Sequence, residues 1–269
     1  MFRSSRKGLT IVEVIVVIVI VAILIGLLLP ATRRVRVSAT RTECINHMKQ
    51  IMLGLHNYHD SGRQPDPSDS SRELRGYLPY GSFGTGRVPS QRLSWMVKLL
   101  PYVEQDSVYQ QFDLVRDHAL NTKPSNTRIR LFTCPDAVNE TDTVTNYVAM
   151  AGLGHSAAEK PDSSPDIGFM GDRRLTSFAI IKDGTSNTIA LMETKDQPGN
   201  WARGGVATLR GFEPSEFPLR NGQRSFGIHP GTHIAAMADG TVRVFGGGVQ
   251  TKTFAAMITI AGGETVDPD

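Results

Sequence analysis

The sequence predicts an α+β fold in which a long N-terminal α-helix, transmembrane in its first half, packs on an antiparallel β-sheet with large loop insertions. Three observations support this prediction. Residues 14–29 are all apolar, a helical stripe of apolar side chains begins at Cys44, and short β-like runs flank two Asp-Gly pairs in the second half of the chain. With 40% hydrophobic and 20% charged residues, the composition is that of a globular protein rather than a disordered one.

The apolar N-terminal stretch is long enough to cross a membrane. Ile11 to Leu29 contains 19 residues, of which Glu13 is the one with a charge. As a helix it would be about 28 Å long at about 1.5 Å per residue, close to a bilayer core of about 30 Å. A cleaved secretory signal is the alternative, but such a signal ends at a small-residue site, and this run ends at Pro30 without an Ala-x-Ala pattern. We expect Pro30 to kink the helix at the membrane edge.

The charge distribution gives no sign of a nucleic-acid partner. The net charge is +3, and Arg3, Arg6 and Lys7 account for it, because the other 26 basic residues balance the 26 acidic ones. No basic surface for nucleic acid is therefore indicated. Four arginines between residues 33 and 41 fit a solvated helix face at a membrane boundary. Because basic residues flank both ends of the apolar run, charge alone does not determine its orientation.

The residues from Gly8 to Glu13 follow the basic leader and open the apolar helix. This order resembles the prepilin-type cleavage and methylation motif of type IV pilins and type II secretion pseudopilins. The resemblance implies that a prepilin peptidase cuts between Gly8 and Leu9 and methylates Leu9, a position where the family usually has Phe. It also implies that Glu13 pairs with the N-terminus of an adjacent subunit. From the residues alone, Glu13 could instead reach the lipid headgroups.

The same resemblance implies the topology and the domain organisation. The fold would be pilin-like, with a cytoplasmic N-terminus, a single pass through the inner membrane and a periplasmic domain. The predicted parts are a leader (1–8), a transmembrane half-helix (9–30), an extracytoplasmic half-helix (31–60) and a globular α+β domain (61–269).

Several further elements are predicted from local patterns. The Asp239-Gly240 pair predicts a hairpin between strands 234–238 and 241–245, because Asp-Gly favours a tight turn. Asp183-Gly184 predicts a looser connection between strands 178–182 and 188–193. The remaining elements are helical regions at 94–112, interrupted by Pro101, and at 251–260, with loops or insertions at 155–172 and 196–225.

Separate motifs along the chain resemble the DUF1559 family of exported prepilin-type proteins, and they cover nearly its whole length. They are Cys44–Asp60, Leu100–Gln105, Phe132–Pro135, Asp183–Thr188 with Glu193 after it, and His229 followed by Asp239-Gly240. His233 and Ile234 depart from the usual residues of the last motif. The function of the family is not established, so the resemblance implies a topology and a processing route rather than an activity.

The sequence predicts no enzyme and no cofactor. It has neither a Gly-x-Ser-x-Gly elbow nor a His-Glu-x-x-His motif. Cys44 and Cys134 could form a disulfide in an exported domain, but the sequence does not show whether their Cα atoms lie within bridging distance.

No metal site is predicted with the usual ligand spacing. A zinc set of His229, His233 and Asp239 is disfavoured, because the Pro and Gly between the histidines indicate a loop. Calcium is a weak alternative, with oxygen ligands from Asp183, Asp196 or Asp239.

Two functional hypotheses follow from the sequence. The first is a pseudopilin-like structural subunit of an envelope secretion or pilus-like assembly, with the prepilin peptidase, the inner membrane and other pilin-like subunits as partners. The alternative is a membrane-tethered extracytoplasmic module that binds a glycan or an envelope protein and uses the prepilin route only for insertion. The sequence does not separate them.

Overall fold

A computed structural model describes residues 11–61, 64–65, 73–137, 141–216, 226–229, 231–246 and 248–263, with the backbone alone for residues 27–37, 64–65, 73–74 and 216. The chain divides into two compact units, one that ends at Thr42 and one that begins at Glu43.

The helices are α1 Ile11–Ser61, α2 Trp95–Leu99, α3 Asp106–Tyr109, α4 Thr122–Ser125 and α5 Thr251–Ala256. The strands are β1 Gln64–Pro65, β2 Glu73–Leu74, β3 Ser82–Phe83, β4 Leu93–Ser94, β5 Val144–Thr145, β6 Tyr147–Leu153, β7 Ile189–Glu193, β8 Gly199–Asn200, β9 Leu209–Phe212, β10 Thr232–Met237 and β11 Val242–Gly246.

The first part of α1 is apolar and exposed on all sides. Every residue from Ile11 to Gly26 is exposed. Among the residues with described side chains, no helix has both the length and the apolar character needed to cross a membrane. The predicted span and the predicted kink extend to Leu29 and Pro30, whose side chains lie outside the described residues, and the helix backbone continues through Pro30.

The later part of α1 confirms the predicted apolar stripe. Cys44, Met48, Ile51 and Leu55 recur at helical spacing and are all fully buried. They belong to one hydrophobic cluster with residues of β6 and β10, so this part of the helix covers one face of the main sheet.

The main sheet has five strands in the order β11-β10-β7-β6-β9. The first four are antiparallel neighbours, whereas β9 pairs with β6 in the parallel direction. The sheet is therefore mixed, and the prediction of an antiparallel sheet was wrong at this edge. The reason is that β9 lies within residues 196–225, which were predicted as loop, and it reaches β6 by a long crossover rather than by a hairpin.

Both faces of this sheet are buried, which makes its inner strand β6 hard to recognise. Along β6, Tyr147 and Ala149 face the cluster that contains α1, while Val148 and Met150 face a second cluster. Phe254 of α5 belongs to that second cluster. A strand that is buried on both sides is a continuous apolar run without alternation, and β6 was not predicted for this reason.

The two Asp-Gly pairs have different outcomes. The hairpin β10–β11 around Asp239-Gly240 is confirmed. The prediction of a strand at 178–182 is wrong, because Phe178–Ile180 forms a 3₁₀ helix. Strand β7 pairs with β6 on one edge and with β10 on the other, so it has no edge for a third partner.

The predicted helical regions are present in shorter pieces. Region 94–112 contains α2, a 3₁₀ turn at Leu100–Val103 that includes Pro101, and then α3. Helix α5 confirms residues 251–256 of the region predicted at 251–260, and the last four residues are not helical.

Candidate functional site

The predicted processing residues lie at the start of the chain. Gly8 and Leu9 are outside the described residues. Glu13 is exposed in the first turn of α1, where the helix dipole favours a carboxylate.

The structure joins Cys44 and Cys134 in a disulfide, a pairing that the sequence left open. Their Cα atoms are 5.3 Å apart, and both residues are fully buried. The bond connects α1 to the segment that follows a 3₁₀ turn at Arg130–Phe132.

His229 lies beside this disulfide, between two carboxylates. Its Nε2 atom is 3.8 Å from Sγ of Cys134 and 3.6 Å from Oε2 of Glu193. Its Nδ1 atom is 3.0 Å from Oδ2 of Asp136. Glu193 is fully buried, and its Oε1 atom accepts a hydrogen bond from the backbone N–H of Ile228 at 3.1 Å. We call Cys44, Cys134, Asp136, Glu193 and His229 the disulfide–histidine cluster.

Backbone hydrogen bonds around Asn146 hold the Cys134 side of this cluster in place. The Asn146 side chain accepts from the backbone N–H of Cys134 at 3.1 Å. Its backbone N–H donates to the carbonyl of Phe132, and its carbonyl accepts from the N–H of Thr194. Because Thr194 directly follows β7, these bonds place Cys134 at the end of that strand, beside Glu193.

The His229 side of the cluster is held by the same strand end. The backbone N–H of Gly227 donates to the carbonyl of Glu193 at 2.8 Å, and Phe226 forms a β-bridge with Thr194. The segment 226–229 therefore runs along the end of β7 and brings His229 to the carboxylate of Glu193.

Tyr147 and His47 lie next to the cluster, and their surroundings keep both side chains uncharged. The Tyr147 hydroxyl is 3.4 Å from Nδ1 of His47, an atom that also lies 3.1 Å from the carbonyl oxygen of Thr133. Burial, and then the charge of Glu193, raise the pKa of Tyr147 well above its usual value. Burial also lowers the pKa of His47. The environment therefore favours the neutral forms of both side chains.

The cluster resembles a nucleophile, base and orienter in its geometry, but the disulfide changes its chemistry. Cys134, His229 and Asp136 stand in the order sulfur, imidazole and carboxylate. In the oxidised chain the sulfur of Cys134 is bonded to that of Cys44, and both are fully buried. These sulfurs therefore present no nucleophile to a substrate.

The residues of the predicted His–Asp-Gly motif do not act together. Asp239 forms the hairpin turn, where its Oδ1 atom accepts from the Thr241 backbone N–H at 2.9 Å and from the Thr241 hydroxyl at 2.7 Å. His233 places Nδ1 2.6 Å from the carbonyl oxygen of Phe226. Within the described residues, the His, Cys, Asp and Glu side chains close enough to share a metal ion are Cys44, Cys134 and His229. The zinc set of His229, His233 and Asp239 is therefore not brought together.

The three calcium candidates are likewise not grouped in the described part of the chain. Asp183 accepts backbone hydrogen bonds from Gly262 at 2.7 Å and Gly263 at 3.0 Å, so it fixes the segment after α5. Asp196 lies near Arg210 in a pocket, and Asp239 belongs to the hairpin turn.

That pocket has a volume of about 600 Å³ and runs beside β9. Its apolar lining comes mainly from Val206, Leu209, Phe212 and Phe226, and its carboxylates are Glu159, Asp172, Asp196 and Glu213. Arg210 is committed to the protein, since it donates to the carbonyls of Val206 and Gln197 and to the hydroxyl of Thr194. Burial lowers the pKa of Arg210 to about 10, although the nearby charge of Asp196 opposes the shift. The sequence did not predict this pocket, because its lining from residue 196 onward belongs to a segment predicted as loop.

Two sequence comparisons support the two resemblances, over residues 3–29 and 33–216. The sequence model of the family described as "Protein of unknown function (DUF1559)" matches residues 33–216, which is more than half of the chain. The chain belongs to the DUF1559 family. The prokaryotic N-terminal methylation motif matches residues 3–29 of this DUF1559 protein. No curated protein and no solved structure matches it.

The family motifs explain part of the disulfide–histidine cluster. Cys44, Cys134 and Glu193 lie in different motifs within the residues that the family model matches, His229 lies beyond them, and the fold brings the four together. Asp136 was not predicted, although it stands two residues after Cys134. The signal for this site is that separate motifs meet in one buried place. That meeting is visible in the fold, and the order of residues along the chain does not reveal it.

Proposed function

We propose that this DUF1559 protein is inserted in the inner membrane as a prepilin, is cleaved between Gly8 and Leu9, and acts as a pseudopilin-like structural subunit. The observation that carries the proposal is the exposure of the apolar first part of α1. Its residues 11–26 are exposed on every side, and its apolar surface has the extent that marks a protein or membrane contact.

The composition of this helix supports the same proposal. From Val14 to Ile25, ten of twelve residues are Val or Ile, which are weak helix formers in water because branching at Cβ restricts the side chain. A surrounding of lipid or of similar helices would favour the helix, because all of its backbone hydrogen bonds are internal.

Glu13 is the part of the helix that favours assembly over simple anchoring. A charged side chain in a membrane helix costs on the order of 2.5–3.5 kcal/mol on insertion scales. Cleavage after Gly8 would create an amine at Leu9, and that amine in a neighbouring subunit would neutralise the carboxylate of Glu13. The pair would align adjacent helices in a fixed register.

The disulfide supports an extracytoplasmic position for the domain. Structural disulfides persist in oxidising compartments such as the periplasm and are rare in the cytoplasm. A basic leader on the cytoplasmic side and a Cys44–Cys134 bond on the other side are consistent with one orientation of the chain.

Cross-linking in native membranes tests the assembly. We would place cysteines at both Ile18 and Val21 of the same chain, so that each chain can bond to two neighbours, and oxidise the membranes with Cys44 and Cys134 left in their buried disulfide. Ladders of cross-linked chains are the result expected for an assembly through α1. Monomers that retain correct cleavage, as shown by N-terminal mass spectrometry, would overturn the subunit proposal.

Replacement of Glu13 gives the matched control for the cross-linking. Glu13→Ala should leave insertion and cleavage unchanged but abolish the ladders, because the carboxylate that answers the neighbouring amine is gone. Ladders of unchanged length in this variant would contradict the pairing.

The pocket beside β9 favours a second candidate, a membrane-tethered binding module. Its apolar lining and three of its carboxylates fit a ligand that carries both apolar and cationic groups, whereas the fourth, Asp172, is already paired with Arg92. Under this alternative the chains stay monomeric in the cross-linking experiment, and the ligand protects residues such as Glu213 from carboxyl modification. Equal modification with and without envelope extract would count against it.

A further inference from the structure

We propose that the disulfide–histidine cluster binds a zinc ion when Cys44 and Cys134 are thiols. The carrying observation is geometric, because the two sulfurs and one ring nitrogen of His229 all lie within 4.8 Å of one another in a buried site. Thiolate and imidazole are the ligands that zinc prefers in structural sites. This inference goes beyond the proposed assembly role and does not depend on it.

Asp136 orients the imidazole as a metal-binding histidine requires. A histidine that binds a metal usually donates its other N–H to a carboxylate, which fixes the tautomer and the ring direction. Here Nδ1 of His229 faces Oδ2 of Asp136 at 3.0 Å. The bond to Asp136 leaves Nε2 as the ring nitrogen directed at Cys134, 3.8 Å away.

Glu193 is the carboxylate that would complete the set once its side chain shifts, because in the oxidised chain it lies outside the three groups that are within 4.8 Å of one another. Its Oε1 atom is held by the backbone N–H of Ile228, and its Oε2 atom lies 3.6 Å from Nε2 of His229. Two sulfurs, one nitrogen and one oxygen make a four-coordinate set of the kind that zinc accepts. The fully buried position of Glu193 excludes water from the same side.

Only the dithiol chain can hold the ion. Zinc–sulfur bonds of about 2.3 Å in a tetrahedral site separate two sulfurs by about 3.8 Å, which is incompatible with an S–S bond. Binding converts two thiols and one Zn²⁺ into two zinc-bound thiolates and two released protons. The ion would then connect α1, the Cys134 segment, β7 and the His229 segment, which are the parts that the disulfide and its neighbours now hold together.

The test uses the full chain in detergent micelles. A water-soluble phosphine and water reduce the disulfide, which yields two thiols and the phosphine oxide, and the phosphine is removed under anaerobic conditions. Co²⁺ is added as a spectroscopic probe and Zn²⁺ as its competitor. We expect one metal ion per reduced chain, tetrahedral thiolate–cobalt absorption that Zn²⁺ abolishes, and no metal on the oxidised chain.

Variants separate a four-ligand site from adventitious binding to two thiols. His229→Ala should remove the tetrahedral absorption, and Asp136→Ala should weaken Zn²⁺ binding about 10–100-fold while the stoichiometry stays at one. His155→Ala, which changes an exposed histidine outside the cluster, should bind as the original chain does. The oxidised form of each variant is the folding control, read by circular dichroism.

Two results would overturn the proposal. The first is a reduced, folded chain that takes up no stoichiometric metal. The second is a His229→Ala chain that is folded when oxidised and binds Co²⁺ after reduction as tightly and with the same spectrum as the original.

Discussion

Asp172 and Arg92 form an ion pair that is almost entirely buried. Oδ2 of Asp172 is 2.6 Å from Nη1 of Arg92, and their side chains are 10% and 9% exposed. Ser82 also donates its hydroxyl hydrogen to Asp172. Because Asp172→Asn leaves the guanidinium without its counter-charge, we expect the free energy of unfolding to fall by about 3–5 kcal/mol. Urea unfolding of the oxidised protein measures this change.

A solvent-exposed pair of the same chemistry is the control for that variant. Arg128 and Asp142 are 3.3 Å apart, with side chains 54% and 71% exposed. Asp142→Asn should change the free energy of unfolding by no more than about 1 kcal/mol, because water screens this pair. Equal losses in both variants would mean that burial does not decide the strength of the pair.

His118 should make the stability of the protein depend on pH. Burial lowers its pKa in the folded state, the contact with Asn200 opposes the shift, and the charge of Arg203 adds to it. As the pH falls below about 6.5, the unfolded chain binds a proton that the folded chain does not. The free energy of unfolding should therefore be highest above that pH and decrease below it.

The variant His118→Gln tests this dependence. Urea unfolding at several pH values should give a smaller loss of stability between about pH 7 and pH 5.5 than in the original chain. Some loss should persist, because burial also lowers the pKa of His47 and His233. An unchanged slope would show that His118 does not contribute.

At the scale of the elements, the β10–β11 hairpin depends on one backbone conformation. Gly240 has φ of +87°, a region that costs other residues about 1–2 kcal/mol. We therefore expect Gly240→Ala to lower the free energy of unfolding by about that amount, as measured by urea unfolding. Gly246→Ala is the control in the same hairpin, because among the described residues a Cβ there meets no atom within 4 Å and Gly246 has no positive φ. A Gly246→Ala loss as large as that of Gly240→Ala would rule out the turn conformation as the cause.

The elements also show where local sequence patterns are sufficient. The hairpin was predictable because Asp239-Gly240 determines its turn locally. Strand β9 was not predictable, because it contains only four residues and pairs with β6, which lies about 60 residues earlier in the chain. The apolar run at 178–182 has the composition of a strand, but the tertiary pairing of β7 leaves no edge for it.

At the scale of the whole molecule, the sequence predicted the N-terminal helix and its buried stripe better than it predicted the site. The stripe from Cys44 follows from helical periodicity, which is local. The contacts of His229 with Glu193 and Cys134 join residues 36 and 95 positions apart. Such contacts depend on how β7 and the segments around it meet, and a single sequence does not contain that information in readable form.

The Cys44–Cys134 disulfide cross-links distant positions in the described part of the chain, so its effect on stability concerns the whole molecule. It closes a loop between positions separated by 90 residues. In the chain-entropy description, a loop of this length restricts the unfolded state enough to stabilise the fold by about 4.5 kcal/mol. The double variant Cys44→Ala/Cys134→Ala should lose about that much free energy of unfolding.

Urea unfolding in the presence of a chelator gives the measurement, since it also removes any contribution from bound metal. The original chain, reduced under the same conditions, should lose a similar amount, because opening the loop is common to both. A double variant much less stable than the reduced chain would show that the sulfur atoms contribute mainly by packing beside His229. A loss below about 1 kcal/mol in both would mean that the unfolded chain is already compact enough to hold positions 44 and 134 together, and the entropic account would fail.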